Sequence, residues 1–253
     1  MKKNKDYRLT QDLRSNSEIE YVQNLAKFLK TSQFSDVEKV ENFPVFTSRQ
    51  TIAQFLFKYE IFKQILKVNG SIIECGVAFG SGIFTFAHLS TIFEPANHTR
   101  KVFGFDTFSG FPSISKFDTG KDRELKKGGM KVDSYNQLQE AIKIFDQNRT
   151  TSHISKLKLV KGDFKKTSKE FIKNNPHLIV SLLYLDFDLY EPTKIALKTF
   201  LPRMPIGSII AFDEINHNEW PGETIAVLEE CGIKNLEIKR YEFDSVRSYA
   251  IIK

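Results

Sequence analysis

The chain has 253 residues, 41% hydrophobic and 27% charged, with a formal net charge of +6 and a pI near 9.1. That length suits one large globular unit, and the composition is that of an ordinary soluble protein. The lysines are scattered, with only pairs such as Lys126-Lys127 and Lys165-Lys166. The charge therefore favours a small anionic ligand such as a nucleotide, and excludes a nucleic-acid-binding stripe. Two cysteines, Cys75 and Cys231, imply no disulfide framework. No apolar run of about 18 residues predicts a membrane span. The basic start MKKNKDYRLT has no apolar stretch behind it and does not read as a signal peptide, so a cytoplasmic location is expected.

In chain order, Ser17–Lys30 has helical spacing, and its Ser-x-x-Glu start resembles a capping box. A second helix is expected over Thr51–Val68, stopped by Asn69-Gly70. These helices form an expected N-terminal extension, residues 1–68. From residue 69 strands and helices alternate. Strands are predicted at Ser71–Cys75, Lys101–Phe105, Leu157–Val160, Ile179–Leu185, Ser208–Phe212, Leu236–Tyr241 and Ser248–Ile252. Helices fall around Gly82–Ile92, Tyr135–Phe145, Thr167–Asn174, Thr193–Leu201 and Glu223–Glu230. The rhythm predicts an α/β fold with a doubly wound, mostly parallel, seven-stranded Rossmann-like sheet over 69–253. One stretch, Thr107–Val132, carries four glycines and little periodicity, and is expected to be a lid.

The chemistry-bearing residues sit at strand ends. The first strand runs into IIECGVAFGSG, an acid (Glu74) followed by Gly76, Gly80 and Gly82 at the start of a helix. Glycines there let a ligand approach the backbone and the helix N-terminus. The spacing is not that of a nicotinamide fingerprint. It looks instead like motif I of class I S-adenosylmethionine methyltransferases. The second strand, VFGFD, ends in Asp106 and Thr107, and an acid there suits a ribose diol. The third ends in Gly162-Asp163, where methyltransferases hold the adenine amino group.

YLDFDLYEPT places Asp186 and Asp188 at the next strand end, and SIIAFDEINHNEW places Asp213 and Glu214 at the one after. Parallel strands that neighbour each other would bring Asp186, Asp213 and Glu214 together as an all-oxygen set suited to Mg²⁺. Asp188 would remain available as a base. His217 and Trp220 follow directly and could line the acceptor pocket.

FDTFSGFP, LVKGDF, YLDFDLYEPT, GSIIAFDE and WPGE, in that order, resemble the macrocin O-methyltransferase (TylF) family, whose members methylate sugar hydroxyls. TSRQTIAQFLFKYEIF and FDEINHNEWPGE are similar to its branch in calicheamicin biosynthesis, which acts on a nucleotide-linked deoxysugar. The resemblance covers Val45 to Glu223. It implies S-adenosylmethionine at Glu74, Gly76, Asp106 and Asp163, Mg²⁺ at Asp186, Asp213 and Glu214, and a general base at Asp188. Where the family more often has Asp-Asp, this chain has Asp213-Glu214. Homo-oligomers, with the N-terminal helices as the interface, are also implied. Two other readings of the residues stay open. Asp186-Phe187-Asp188 is a D-x-D that could serve a glycosyltransferase, and Tyr190…Lys194 is the Tyr-x3-Lys of short-chain dehydrogenases.

Overall fold

The computed structural model describes residues 15–118 and 125–253. It divides between Gln54 and Phe55 into two compact units. In the first, α1 (Asn16–Thr31) starts at a capping box made by Ser15 and Glu18, two residues ahead of the Ser17–Glu20 pair that the sequence suggested. A short helix, α2 (Asp36–Glu41), follows on a second capping box, Ser35 with Glu38. The rings of Phe28 and Phe34 then pack on Phe46.

The helix α3 (Arg49–Gln64) runs across the boundary, and in the second unit its Phe57, Ile61 and Phe62 are fully buried. The sheet comprises β1 (Ser71–Cys75), β2 (Val102–Asp106), β3 (Leu157–Lys161), β4 (Val180–Leu185), β5 (Ile209–Phe212) and β6 (Ser248–Ile251). Their order is β3-β2-β1-β4-β5-β6, parallel except for the last pair. Helices α4 (Ser81–Phe93), α5 (Tyr135–Gln147), α6 (Phe164–Asn174), α7 (Tyr190–Phe200) and α8 (Pro221–Glu230) connect them.

Alternate strand residues feed two cores, as a sheet covered on both faces requires. Ile72, Val102, Leu182, Tyr184 and Ile209 pack under the second half of α3, α4 and α5. Ile73, Phe103, Leu183, Ile210 and Phe212 pack under α6, α7 and α8.

Among the described residues the sheet has six strands where seven were expected. The run expected as a strand at Leu236–Tyr241 makes a single antiparallel bridge, Lys239 to Tyr249. A three-ten turn at Ile233–Asn235 takes up the chain just before it, and a turn closed by the Asp244 amide on the Tyr241 carbonyl takes it up just after.

Register decides where the site lies. Cys75 is paired with both Phe105 and Leu185, and Leu185 with Phe212. Hydrogen bonds continue one step past the strands, from the Gly76 amide to the Phe105 carbonyl, Asp186 to Cys75, and Asp213 to Leu185. The acids at these strand ends therefore stand along one edge of the sheet.

Candidate active site

The left half of that edge is a glycine turn braced from below. Gly76 has φ +102°, and a Cβ there would overlap the Asp186 carbonyl, so only glycine lets the turn after β1 lie against β4. Gly80, also at positive φ, starts α4. Asp106 holds the turn from the end of β2. Its Oδ2 accepts from the Val77 and Ala78 amides, both at 2.9 Å, and its Oδ1 accepts from Phe108 at 2.7 Å. Thr107 donates from Oγ1 to the Gly110 carbonyl at 2.7 Å, shaping the next loop. Asp163 caps α6, accepting from Lys165 at 3.0 Å. It stands at the end of β3, as the sequence placed it.

Glu74 is the most telling group. It is 2% exposed, its carboxyl lies against Gly82 where a Cβ would collide with it, and its Oε2 has no hydrogen-bond partner. Burial pushes its pKa up to about 8, opposed by Lys58 and reinforced by Asp213 and Asp106. A buried carboxyl with an unused oxygen, beside a glycine turn and a helix N-terminus, fits a ligand that brings a cation or N–H donor. S-adenosylmethionine, with its ammonium and sulfonium groups, has that chemistry.

The right half is an acid cluster with two built-in cations. Burial, then Asp213 and Asp188, raise the Asp186 carboxyl well above the ordinary range. Asp188 has φ +61°, a left-handed conformation unusual for a residue with a Cβ. Asp213 accepts the Tyr184 hydroxyl at 2.6 Å and pairs with Arg247, Nε to Oδ1 at 2.7 Å and Nη2 to Oδ2 at 3.3 Å. The same Tyr184 hydroxyl accepts from Arg247 Nε at 3.2 Å and from Lys58 Nζ at 3.4 Å. Glu223, fully buried at the start of α8, accepts the Glu214 amide at 2.9 Å, while its Oε2 has no partner. Burial and the neighbouring Asp213 raise it well above the carboxylate range.

The donor chemistry of Asp186, Asp213 and Glu214 is that of a hard-cation site. Among the described residues no three His, Cys, Asp or Glu side chains are grouped to hold an ion. Asp213 directs both its oxygens at Arg247 and gives one to Tyr184 as well. His217 closes a turn, its Nδ1 accepting the Glu219 amide at 3.3 Å. Trp220 is buried with Phe111 and Leu189 in a small third core rather than facing solvent. The sequence reading passed over Lys58, Tyr184, Arg247 and Glu223. Lys58 left a trace, a lysine among the apolar residues of a helix; Arg247 left none.

The Tyr-x3-Lys motif takes a structural role. The Tyr190 hydroxyl and Lys194 are hydrogen-bonded to each other at 2.8 Å and both to Glu229. That ties α7 to α8.

Comparison with known proteins finds relatives of this chain. The profile of the macrocin-O-methyltransferase (TylF) family matches residues 59–228. The calicheamicin methyltransferase CalS11 has 33% identity, a TM-score of 0.89, and coverage of 94% of this chain and 93% of that one. An apo structure described as CalS11, TDP-rhamnose 3'-O-methyltransferase, has 33% identity, a TM-score of 0.81, and coverage of 94% and 95%. The O-methyltransferase NovP shares the fold, with 20% identity, a TM-score of 0.58 and 80% of each chain covered. A tetracenomycin-sugar 4'-O-methyltransferase of Streptomyces olivaceus is 28% identical over 152 residues, spanning 58% of this chain and about half (53%) of that relative. The chain belongs to the macrocin O-methyltransferase (TylF) family.

Proposed function

We propose that the chain transfers the methyl group of S-adenosylmethionine to a hydroxyl of a deoxysugar carried on a nucleoside diphosphate, with Asp188 as the base. The observation that carries the reading is the single sheet edge that joins the Glu74 cradle to the acid cluster. Two reactants bound at its two halves meet over β1 and β4. The substrate of the CalS11 relative, named as TDP-rhamnose, supports the acceptor class, as does the positive net charge.

S-adenosylmethionine would supply the electrophilic methyl group, held at the turn of Gly76, Gly80 and Gly82. Glu74 would face its cationic portion, Asp106 and Thr107 its ribose, and Asp163 its adenine. The remaining work falls to the chain. A sugar hydroxyl is a poor nucleophile at neutral pH, so a carboxylate must take its proton as the C–O bond forms. Asp188 reaches from a turn that is anchored on both sides, and Asp186 beside it is tuned upward by the same crowd of acids. Alignment of the two reactants accounts for the rest of the rate. Phe111, Leu189 and Trp220 pack the loop after β2 against the turns after β4 and β5, which excludes water from that end. His217 and Trp220 would stand at the acceptor side.

Asp186, Asp213 and Glu214 are the residues that would hold a divalent cation, with Asp213 shared between it and Arg247. The N-terminal helices remain the proposed oligomer interface.

The test is calorimetric. S-adenosylhomocysteine should bind alone, and a dTDP-deoxyhexose should then bind to the binary complex, with methyl transfer when S-adenosylmethionine replaces the product. Binding of the sugar nucleotide without S-adenosylhomocysteine binding would return the D-x-D glycosyltransferase reading, and binding of NADH alone the dehydrogenase.

A further inference from the structure

We infer that Asp118, in the loop after β2, is a positioning residue for Asp188, acting as a cap on α7 supplied from far along the chain. The inference rests on the assignment of Asp188 as the base. The residue in the N-cap position of α7 is Leu189, which has no side-chain oxygen and makes no capping hydrogen bond. The first amide of the helix, that of Tyr190, donates instead to Asp118 Oδ1 at 2.6 Å. Asp118 Oδ2 accepts the Ser115 amide at 2.6 Å, so the carboxylate is fixed from its own loop as well. The side chain is 1% exposed. A carboxylate on the first N–H of a helix is favoured by both the hydrogen bond and the helix dipole.

The cap fixes Asp188 because Asp188 has little freedom left. Two residues before it on the strand side, the Asp186 amide donates to the Cys75 carbonyl at 2.8 Å. On the helix side, Leu189 is buried with Phe111 and Trp220, and Tyr190 is held by Asp118 and packed against the tilted ring of Phe117, centroids 4.6 Å apart. Between these anchors the backbone turns through the left-handed conformation of Asp188. Such a conformation persists where the surroundings over-determine it. Release of the Tyr190 amide frees the Asp188 turn to relax.

Gly222 shows that the contact is built. A Cβ at that position would lie 2.5 Å from Asp118 Oδ1 and 2.6 Å from the Tyr190 amide nitrogen. The glycine of the WPGE stretch thus leaves room for the cap, a role distinct from any contact with substrate.

The experiment compares Asp118→Ala, Asp118→Asn and Gly222→Ala with the native chain, with Asp188→Asn as reference, reading kcat, KM and S-adenosylhomocysteine affinity. A misplacement of a catalytic group by about 1 Å costs roughly 100-fold in rate. Asp118→Ala and Gly222→Ala should each lower kcat by about 10- to 100-fold, with cofactor affinity within about twofold. Asp118→Asn, which keeps an acceptor oxygen, should recover much of kcat. The double variant Asp118→Ala/Gly222→Ala should be no slower than the worse single one. If Asp118→Ala does not fold, Gly222→Ala and Asp118→Asn carry the comparison. Native kcat in Asp118→Ala, Asn no better than Ala, or parallel loss of cofactor affinity would overturn the inference. Full activity in Asp188→Asn would instead overturn the base assignment beneath it.

Discussion

Asp106 distinguishes a residue that merely sits near a cofactor from one that builds its site. Its carboxylate accepts three backbone amides, from Val77, Ala78 and Phe108. Hydrogen bonds to a charged group contribute about 1.5–3 kcal/mol each. In Asp106→Asn one oxygen remains. If it stays on the Val77 and Ala78 amides, the new NH₂ faces the Phe108 amide. One bond is lost and two lose their charge assistance, for a total of about 3.5–6 kcal/mol. In a chain of this size that lowers Tm by roughly 10–20 °C. Affinity for S-adenosylhomocysteine should fall by at least about tenfold, because the glycine turn loosens and the ribose loses its partner. Thermal melts with and without S-adenosylhomocysteine, and calorimetric titration, read both effects. A native Tm would refute the brace, and a native affinity despite lost stability would refute the ribose assignment.

Glu74 predicts a pH dependence. Its folded pKa of about 8 stands above that of an ordinary carboxylate. The folded state therefore holds a proton that the unfolded chain releases between about pH 4.5 and 8. Stability from this group is full below that window and falls as pH rises through it. Tm of the chain without cofactor should drop by several degrees from about pH 5 to 8, and Glu74→Gln should flatten the drop, as parallel melts would show. A cationic cofactor would favour the charged form, so its binding near pH 7 should release a proton, seen as buffer-dependent binding enthalpy. Arg247→Gln leaves Asp213 without its guanidinium. Because the two side chains are only 14% and 10% exposed, the chain should lose about 2–4 kcal/mol. Mn²⁺ should raise the Tm of this variant more than that of the native chain; equal responses would show that Arg247 does not compete with a cation for Asp213.

Much of this arrangement was legible because a parallel sheet covered on both faces makes its strands continuous apolar runs. SIIEC and VSLLYL announce both their secondary structure and the acids that must follow them. The order of those acids then follows from parallel pairing. LEIKRY misled because alternation predicts a strand without telling how many residues remain between two turns. The helix α2 was missed although Ser35 and Glu38 form the same capping signature as α1, since six residues offer no periodicity to read. Arg247 and Asp118 were beyond reach for another reason. Each meets a partner far away in sequence, Asp213 34 residues off or the Tyr190 amide 72 residues off, and only tertiary closure brings them together. The pattern of acids likewise does not reveal which of them a distant arginine will take.

The most direct measurement is methyl transfer from S-adenosylmethionine to dTDP-rhamnose, followed by mass spectrometry of the sugar nucleotide, for the native chain and Asp188→Asn at matched S-adenosylhomocysteine affinity. The account predicts a singly methylated product from the native chain and a rate lower by about 100- to 10,000-fold in the variant. Unmethylated sugar nucleotide from the native chain, or a variant as fast as it, would contradict the account.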